Sequence, residues 1–249
     1  MLMKKLCSAL LVLLWCASGV LAADGQVLIN GYNPTTKPFG YTENGAAKGF
    51  DIEMLNWIAQ DAGVQIRHVP IVWAQGLDLI RRGEIDMIAS SMTITVPRMI
   101  KVRFSNPYWN IDQGVLSRND SGLTLEQVTS GRAQGVGAMR GSTGEAWYRS
   151  IIAKNNLDPE ILHSYDDYNG VLNAVMNGEI QAGIMASATA KVMIGDRPMK
   201  LIGAVDLGEQ YGVAMRKNNV PLHRLINHGL YKFVRSPEFE ALKAKYNLN

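Results

Sequence analysis

One unit of sequence occurs twice in the chain, and each copy predicts a helix that stops at a glycine and continues into a buried strand. The copies are "GLDLIRRGEIDMIASSMT" at 76–93 and "GVLNAVMNGEIQAGIMASAT" at 170–189, with Gly-Glu-Ile at 83–85 and again at 178–180. Continuously apolar strands are typical of parallel sheets that are covered on both faces. Such helix-to-strand units are common in α/β proteins, so the match indicates either coincidence or two similar lobes.

The rest of the chain also alternates strands with helices. "QVLING" at 26–31 predicts the first strand, and "DIEMLNWIAQDAG" at 51–63 predicts a helix that Asp51 caps and Gly63 ends. "VQIRHVPI" at 64–71 alternates like a strand. No low-complexity or Ser/Pro-rich linker interrupts this order. The sequence therefore predicts an α/β architecture with parallel strands.

The N-terminus predicts a cleaved secretory signal peptide, residues 1–22. Two lysines precede the apolar run "LCSALLVLLW", which is too short to cross a bilayer, and the small residues of "VLA" suit cleavage after Ala22 or, as the alternative, after Ala23. An uncleaved membrane anchor is the other interpretation. It is disfavoured because no stop-transfer cluster of charges follows the run.

Both cysteines, Cys7 and Cys16, lie in the predicted signal peptide, so the exported chain has no disulfide. A lipid anchor on Cys16 is disfavoured because Trp15 precedes it, where lipoprotein processing requires a small residue. Removing two lysines lowers the formal net charge from +3 to +1, which indicates neither nucleic acid nor an anionic membrane as partner. We expect a soluble protein of a Gram-negative periplasm.

Polar side chains follow the first buried strand, in the segment "SSMTITVPR" that ends at Arg98. Ligands of open parallel sheets lie beyond the carboxyl ends of the strands. Ser90, Ser91 and Thr93 would therefore donate to a polar ligand, and the planar guanidinium of Arg98 suits a carboxylate. The alternative is that these hydroxyls only stabilise a turn, with Thr95 capping a short helix. Four hydroxyls and an arginine at one strand end favour the ligand.

A second anion-ready element is "VGAMRGSTGEAWY" at 136–148. Ser142 and Glu145, three residues apart, predict a capping box at the start of a helix. The free N–H groups of a helix start are a seat for a carboxylate or phosphate. The lysine-serine signature of a phosphate-binding loop is absent.

Several motifs resemble the family of bacterial periplasmic solute-binding proteins that serve amino-acid ABC transporters (family 3, with the type II periplasmic binding protein fold). They are "GFDIEML" at 49–55, "IDMIASSMTITVPR" at 85–98, "FSNPYW" at 104–109 and "GSTGE" at 141–145, in family order and spacing.

The resemblance implies two doubly wound lobes joined by two crossing strands, predicted at "DQGVLSR" and "QYGVAMRK", with the ligand cleft between the lobes. Lobe 1 would consist of residues 24–112 and 211–249, and lobe 2 of residues 113–210.

The resemblance also implies the ligand contacts. Arg98 would bind the α-carboxylate of the ligand, with Trp73 as a side-chain wall, although a tryptophan beside a helix start is as often part of the core. The further contacts implied are Thr93 with the neighbouring Ser91 and Ser90 from lobe 1, and Ser142, Thr143 and Met139 from lobe 2.

Three positions depart from the family pattern. The aspartate that usually pairs with the ligand ammonium corresponds to Ala186, and the usual acid and aromatic of the first loop correspond to Asn33 and Thr36. An ammonium desolvated without a counter-charge would cost several kcal/mol by order of magnitude.

Two interpretations follow from the missing aspartate. Asp166 or Asp167 replaces it, or the ligand is an organic anion without an amine, for which Arg140 would be a second positive partner. The amino acid and the amine-free acid are equally compatible with the sequence.

The sequence thus predicts a monomeric binding protein that captures a small carboxylate by hinge closure and delivers it to the membrane permease of an ABC transporter, without cofactor or metal. A ligand-binding sensor subunit is the alternative. An enzyme like cyclohexadienyl dehydratase, which resembles the same family, is disfavoured because Thr189 stands where its glutamate is expected.

Overall fold

The computed structural model describes residues 27–248, so the predicted signal peptide lies outside the described residues. The strands are β1 (Val27–Tyr32), β2 (Thr35–Thr36), β3 (Gly40–Glu43), β4 (Ala46–Lys48), β5 (Gln65–Pro70), β6 (Met87–Ile88), β7 (Arg103–Phe104), β8 (Trp109–Arg118), β9 (Val136–Met139), β10 (Leu162–Tyr165), β11 (Ala182–Ala186), β12 (Met199–Tyr211) and β13 (Ala214–Met215). The helices are α1 (Phe50–Ala62), α2 (Gly76–Arg82), α3 (Val96–Lys101), α4 (Leu125–Thr129), α5 (Thr143–Asn155), α6 (Tyr168–Met176), α7 (Ser187–Ile194), α8 (Val220–Phe233) and α9 (Pro237–Lys245). Every helix within 27–248 is too short or too polar to cross a bilayer.

Two five-stranded sheets of the same design form the frame of the molecule. Their strand orders are β5-β1-β6-β13-β7 and β10-β9-β11-β8-β12, and β2-β3-β4 form a third, small sheet. In each large sheet three neighbouring strands run parallel and the next strand runs antiparallel. We call the part of the molecule around the first sheet lobe 1 and the part around the second sheet lobe 2. The predicted α/β fold of two doubly wound lobes is confirmed.

The repeated sequence unit supplies the middle strand of each sheet, β6 in lobe 1 and β11 in lobe 2. In each copy a glycine follows the helix in the left-handed conformation, Gly83 with φ of 78° and Gly178 with φ of 73°. Glycine adopts this conformation without the steric cost that a Cβ would add, so it can end the helix and turn the chain into the strand. The repeat is therefore structural, because both copies occupy the same place in similar lobes.

The start of α1 differs from the prediction. The N-cap of α1 is Gly49, and Asp51 does not cap the helix. Its carboxylate instead accepts a hydrogen bond from the backbone N–H of Ser91 at 2.6 Å. A tertiary partner 40 residues away has replaced the local one. Gly63 ends the helix in the left-handed conformation, as predicted.

The lobes are connected through β8 and β12, which pair antiparallel from Trp109 opposite Tyr211 to Arg118 opposite Met199. The chain leaves the lobe 1 sheet after β7 and returns to it in β13. The second predicted crossing strand, 210–217, is thus divided between β12 and β13. The lobe boundaries at 112/113 and 210/211 stay a prediction.

An aromatic cluster joins the two ends of lobe 1. Phe50 of α1 makes edge-to-face contacts with Phe39, Phe233 and Phe239, at ring-centroid distances of 6.0–6.1 Å. Such pairs add to the apolar burial of each ring. The C-terminal helices α8 and α9 therefore pack on the N-terminal part of the chain.

Candidate ligand-binding site

A pocket lies between the two lobes, at the carboxyl ends of β6, β9 and β11. It is lined by Thr36, Trp73, Ser91, Thr93, Arg98, Ile111, Gln113, Met139, Ser142, Thr143, Tyr168, Ala186 and Tyr211. Its volume is about 20 Å³, which is enough for roughly one water molecule. A solute can therefore enter only if the two walls of the pocket move apart.

Nine of the predicted site residues line this pocket, and two, Asn33 and Ser90, do not. These two are buried behind it and bind each other, since the backbone N–H of Asn33 donates to Ser90 Oγ at 3.0 Å. Asn33 also reaches across to lobe 2, where its Nδ2 lies 3.3 Å from Met139 Sδ. They therefore support the pocket wall.

Arg98 bridges the two lobes. Its Nη1 donates to the carbonyl of Thr93 at 2.8 Å and its Nη2 donates to the carbonyl of Gly141 in lobe 2 at 2.9 Å. The guanidinium lies 5.8 Å from the ring centroid of Trp73, within the range of a cation–π contact. Thr95 caps α3 by accepting from the backbone N–H of Arg98, as the alternative interpretation of this segment expected. The capped start of α3 thus holds the backbone of Arg98 in place.

Burial lowers the pKa of Arg98 from its ordinary value, and the carboxylate of Glu209 acts in the opposite direction. Arginine nevertheless stays charged at neutral pH. The pocket therefore contains a poorly solvated positive charge, which attracts an anion.

The start of α5 forms the lobe 2 wall. Ser142 caps the helix, and its Oγ accepts from the backbone N–H of Glu145 at 3.1 Å. The predicted capping box is incomplete, because the Glu145 carboxylate accepts from the backbone N–H of Gly141 at 2.7 Å and not from that of Ser142. Glu145 thereby holds the turn whose carbonyl binds Arg98.

Burial alone would raise the pKa of Glu145, but hydrogen bonds from Ser164, Arg149 and the Gly141 N–H outweigh it and lower that pKa. The carboxylate is thus kept ionised by donors from three directions.

A hydroxyl and amide network connects the walls of the pocket. Thr93 Oγ1 in lobe 1 lies 3.4 Å from Thr143 Oγ1 in lobe 2. Gln113 Nε2 donates to Thr143 Oγ1 at 2.9 Å and to Glu209 Oε2 at 2.7 Å. The network links the Arg98 end of the pocket to a carboxylate at the other end.

The charged residues proposed from sequence as substitutes for the missing aspartate lie outside the pocket lining. Asp166 is exposed and forms an ion pair with Arg140 at 3.4 Å. Asp167 caps α6 by accepting from the backbone N–H of Gly170 at 2.8 Å. Both aspartates thus have local structural roles.

Four lining residues were missed from sequence: Ile111, Gln113, Tyr168 and Tyr211. Three of them lie on β8 and β12, and the predicted crossing strands contained Gln113 and Tyr211. The sequence does not reveal how β8 and β12 pair, and this pairing determines which of their side chains face the cleft. Tyr168 follows the cap of α6, and no motif distinguished it.

The position that the resemblance assigns to a catalytic glutamate is occupied by Thr189, which is fully buried and is not part of the lining. The lining residues include no aspartate, glutamate, histidine or cysteine.

Comparisons with known proteins agree with this geometry. A sequence profile of the bacterial extracellular solute-binding proteins, family 3, matches residues 28–249. A probable histidine-binding protein of Neisseria gonorrhoeae is 26% identical over 237 residues, covering 92% of this chain and 86% of that relative.

Two solved structures superpose on both lobes. An ancestral arginine-binding protein bound to arginine has a TM-score of 0.80 at 27% identity, covering 88% of this chain and 97% of its own. An ancestral amino acid-binding protein, a precursor of cyclohexadienyl dehydratase, shares the fold with a TM-score of 0.78 at 24% identity, covering 88% of this chain and 94% of its own.

Proposed function

The chain belongs to the bacterial extracellular solute-binding proteins of family 3, and we propose that it captures a small carboxylate-bearing solute, an amino acid or related organic anion, for an ABC transporter. The carboxylate binds Arg98 from lobe 1 and the start of α5 from lobe 2. The protein acts as a monomer in the periplasm after its signal peptide is removed, and it does not catalyse a reaction.

The position of Arg98 is the observation that carries this proposal. Its guanidinium lies between the lobes and is oriented by the carbonyls of Thr93 and Gly141, at 2.8 and 2.9 Å. Planar guanidinium groups bind carboxylates through paired hydrogen bonds. The hydroxyls of Ser91, Thr93, Ser142 and Thr143 surround the same space, so an anion would find donors from both lobes.

Capture proceeds by hinge closure. The pocket volume of about 20 Å³ has room for roughly one water molecule, so the solute enters when the lobes are apart. The two strand connections between the lobes, after β7 and after β12, are the positions where backbone rotation separates them. Solute on Arg98 then favours the closed state, because only that state adds the donors of lobe 2.

A thermal unfolding assay tests this function. The chain from residue 23 is refolded from urea to remove bound solute, then heated with single L-amino acids, amine-free carboxylates or amines without a carboxylate. A ligand at about 1,000 times its Kd adds about 4 kcal/mol to the free energy of unfolding, or roughly 10 °C in Tm. We expect shifts with some carboxylates and none with the amines.

Arg98→Ala is the matched variant. It should unfold at a Tm close to that of the unliganded wild type and lose the ligand shift, because removing the charged partner of the ligand carboxylate weakens binding by about 100-fold or more. Binding by this variant with wild-type affinity would contradict the placement of the carboxylate.

A further inference from the structure

A bulge in β12 directs a glutamate, Glu209, towards the pocket. The pairing of β12 with β8 shifts register between Asp206 and Glu209. Within the bulge Gly208 has φ of 65°, and its N–H donates to the Asp206 carboxylate at 2.7 Å. After the bulge, Glu209 pairs with Ile111, which lines the pocket. Bulges commonly redirect a side chain beside a functional site.

Glu209 is held by neutral donors. Its Oε2 accepts from Gln113 Nε2 at 2.7 Å and from Thr143 Oγ1 at 3.1 Å, and both donors line the pocket. Within residues 27–248 no lysine, arginine or histidine forms an ion pair with Glu209. A half-buried carboxylate with only neutral donors is suited to accept a cation that arrives with a ligand.

The Glu209 carboxylate lies close to Arg98, the residue proposed to bind the ligand carboxylate. Thr143 Oγ1, which donates to Glu209, is 3.4 Å from Thr93 Oγ1, and the Thr93 carbonyl accepts from Arg98. Glu209 also acts electrostatically on the Arg98 guanidinium. Arg98 in the pocket and Glu209, which contacts the lining residues Gln113 and Thr143, are thus a positive and a negative group separated by two threonine side chains. An α-amino acid carries its carboxylate and ammonium on a single carbon.

We propose that Glu209 binds the α-ammonium group of the solute whose carboxylate lies on Arg98, so that the ligands are zwitterionic α-amino acids and not amine-free acids. This inference rests on the proposed function, because it requires the carboxylate at Arg98. Glu209 then supplies the charge that Ala186 lacks, from a different strand.

Other carboxylates near the pocket are less suited to this role. Asp51 is fully buried on the lobe 1 side and binds the Ser91 N–H. Asp166 is exposed in its pair with Arg140, and Asp167 caps α6. Of these acids, Glu209 is the one in contact with pocket-lining donors of lobe 2.

The experiment compares amino acids with their deaminated analogues by isothermal titration calorimetry on the refolded chain from residue 23. The pairs are L-glutamine with 4-carbamoylbutanoate, L-histidine with 3-(imidazol-4-yl)propanoate, and L-arginine with 5-guanidinopentanoate. We expect at least one amino acid to bind at least about 100-fold more tightly than its analogue, because the analogue leaves Glu209 without its cation.

Glu209→Gln keeps the size of the side chain and removes its charge. We expect affinity for the amino acid to fall by at least about 10-fold while the weak binding of the analogue stays the same, so that discrimination shrinks. Glu160→Gln, on an exposed glutamate, is the matched control and should bind as the wild type does. Glu209→Asp keeps the charge and should retain part of the discrimination.

The outcomes separate the two levels of the proposal. Wild-type protein that binds amino acids and analogues equally, with Glu209→Gln unchanged, would overturn the role of Glu209 and leave carboxylate capture intact. If Glu209→Gln loses affinity for L-arginine but not for L-glutamine, the role of Glu209 is also overturned, because Glu209 would then bind the ligand side chain and not its α-ammonium group. A folded wild-type protein that binds none of the six compounds and shows no thermal shift with any carboxylate would overturn the proposed function as well. If Glu209→Gln does not fold, the proposal is tested by the wild-type comparison of amino acids with their analogues and by the affinity of Glu209→Asp.

Discussion

Replacing Asp51 by asparagine should change how the stability of the protein depends on pH. The Asp51 side chain is fully buried, with Oδ2 accepting from the Ser91 N–H at 2.6 Å. Burial raises the pKa of Asp51 from 3.8 to about 7, although hydrogen bonds from the Ser91 N–H and the Tyr108 side chain favour the ionised form. The folded protein therefore retains a proton that the unfolded chain has lost.

The magnitude follows from these two pKa values. The stability that protonated Asp51 contributes is fully present below about pH 4 and is lost as the pH rises through about 7. Each pH unit between the two values corresponds to about 1.4 kcal/mol, so this group lowers the free energy of unfolding by roughly 4 kcal/mol across the window. Above about pH 7 its effect is constant.

The assay is urea unfolding of wild type and Asp51→Asn at a series of pH values from about 4 to about 8. Asparagine keeps an oxygen that can accept from Ser91 and does not titrate. Subtracting the two curves removes groups common to both, such as His68, whose pKa burial lowers to about 4 and which acts in the opposite direction. We expect the stability of the variant relative to wild type to increase by roughly 4 kcal/mol from the acid end to the alkaline end. Parallel curves would refute the reasoning, because Asp51 would then be ionised throughout.

Two further predictions concern the backbone conformation at Gly49 and the proposed carboxylate-binding residue Arg98. At Gly49, where φ is 125°, a Cβ would lie 2.2 Å from the carbonyl oxygen of Phe39, so Gly49→Ala should cost at least about 3 kcal/mol in urea unfolding. Gly45→Ala, at φ of 77° with no atom within 4 Å of the added Cβ, is the control and should cost only about 1 kcal/mol; equal costs would show that the contact is relieved. Arg98→Lys should weaken ligand binding by about 10- to 100-fold in calorimetry, because an ammonium cannot reproduce the planar fork. Wild-type affinity in the lysine variant would mean that charge alone suffices.

Much of the fold could be predicted because its signals are local. The apolar run before Ala186 and the glycine stop at Gly178 are readable without knowing any partner, and both appear as expected in β11 and the preceding turn. The rule that ligands lie beyond strand ends then placed Ser91, Thr93 and Arg98 on the pocket wall.

The parts that were missed depend on contacts between distant segments. Asp51 satisfied the local rule for a helix cap, but its carboxylate accepts a hydrogen bond from the backbone N–H of Ser91 instead. Gln113 and Glu209 point to the pocket because β8 and β12 pair in a register that a bulge interrupts. Register and bulges are set by the partner strand, so a single strand's sequence does not reveal them.

The place of β13 also has a consequence for the order in which the chain can fold. All strands of the lobe 2 sheet come from one continuous stretch, from β8 to β12, whereas β13 must insert between β6 and β7 of lobe 1. A chain that is synthesised from its N-terminus can therefore complete lobe 2 while β6 and β7 of lobe 1 still lack the strand that pairs with both. Unpaired strand edges of this kind promote aggregation. Ala214 and Met215 of β13 then pair with both strands, and α8 packs over α1. The lobe that starts first along the chain is the one that finishes last.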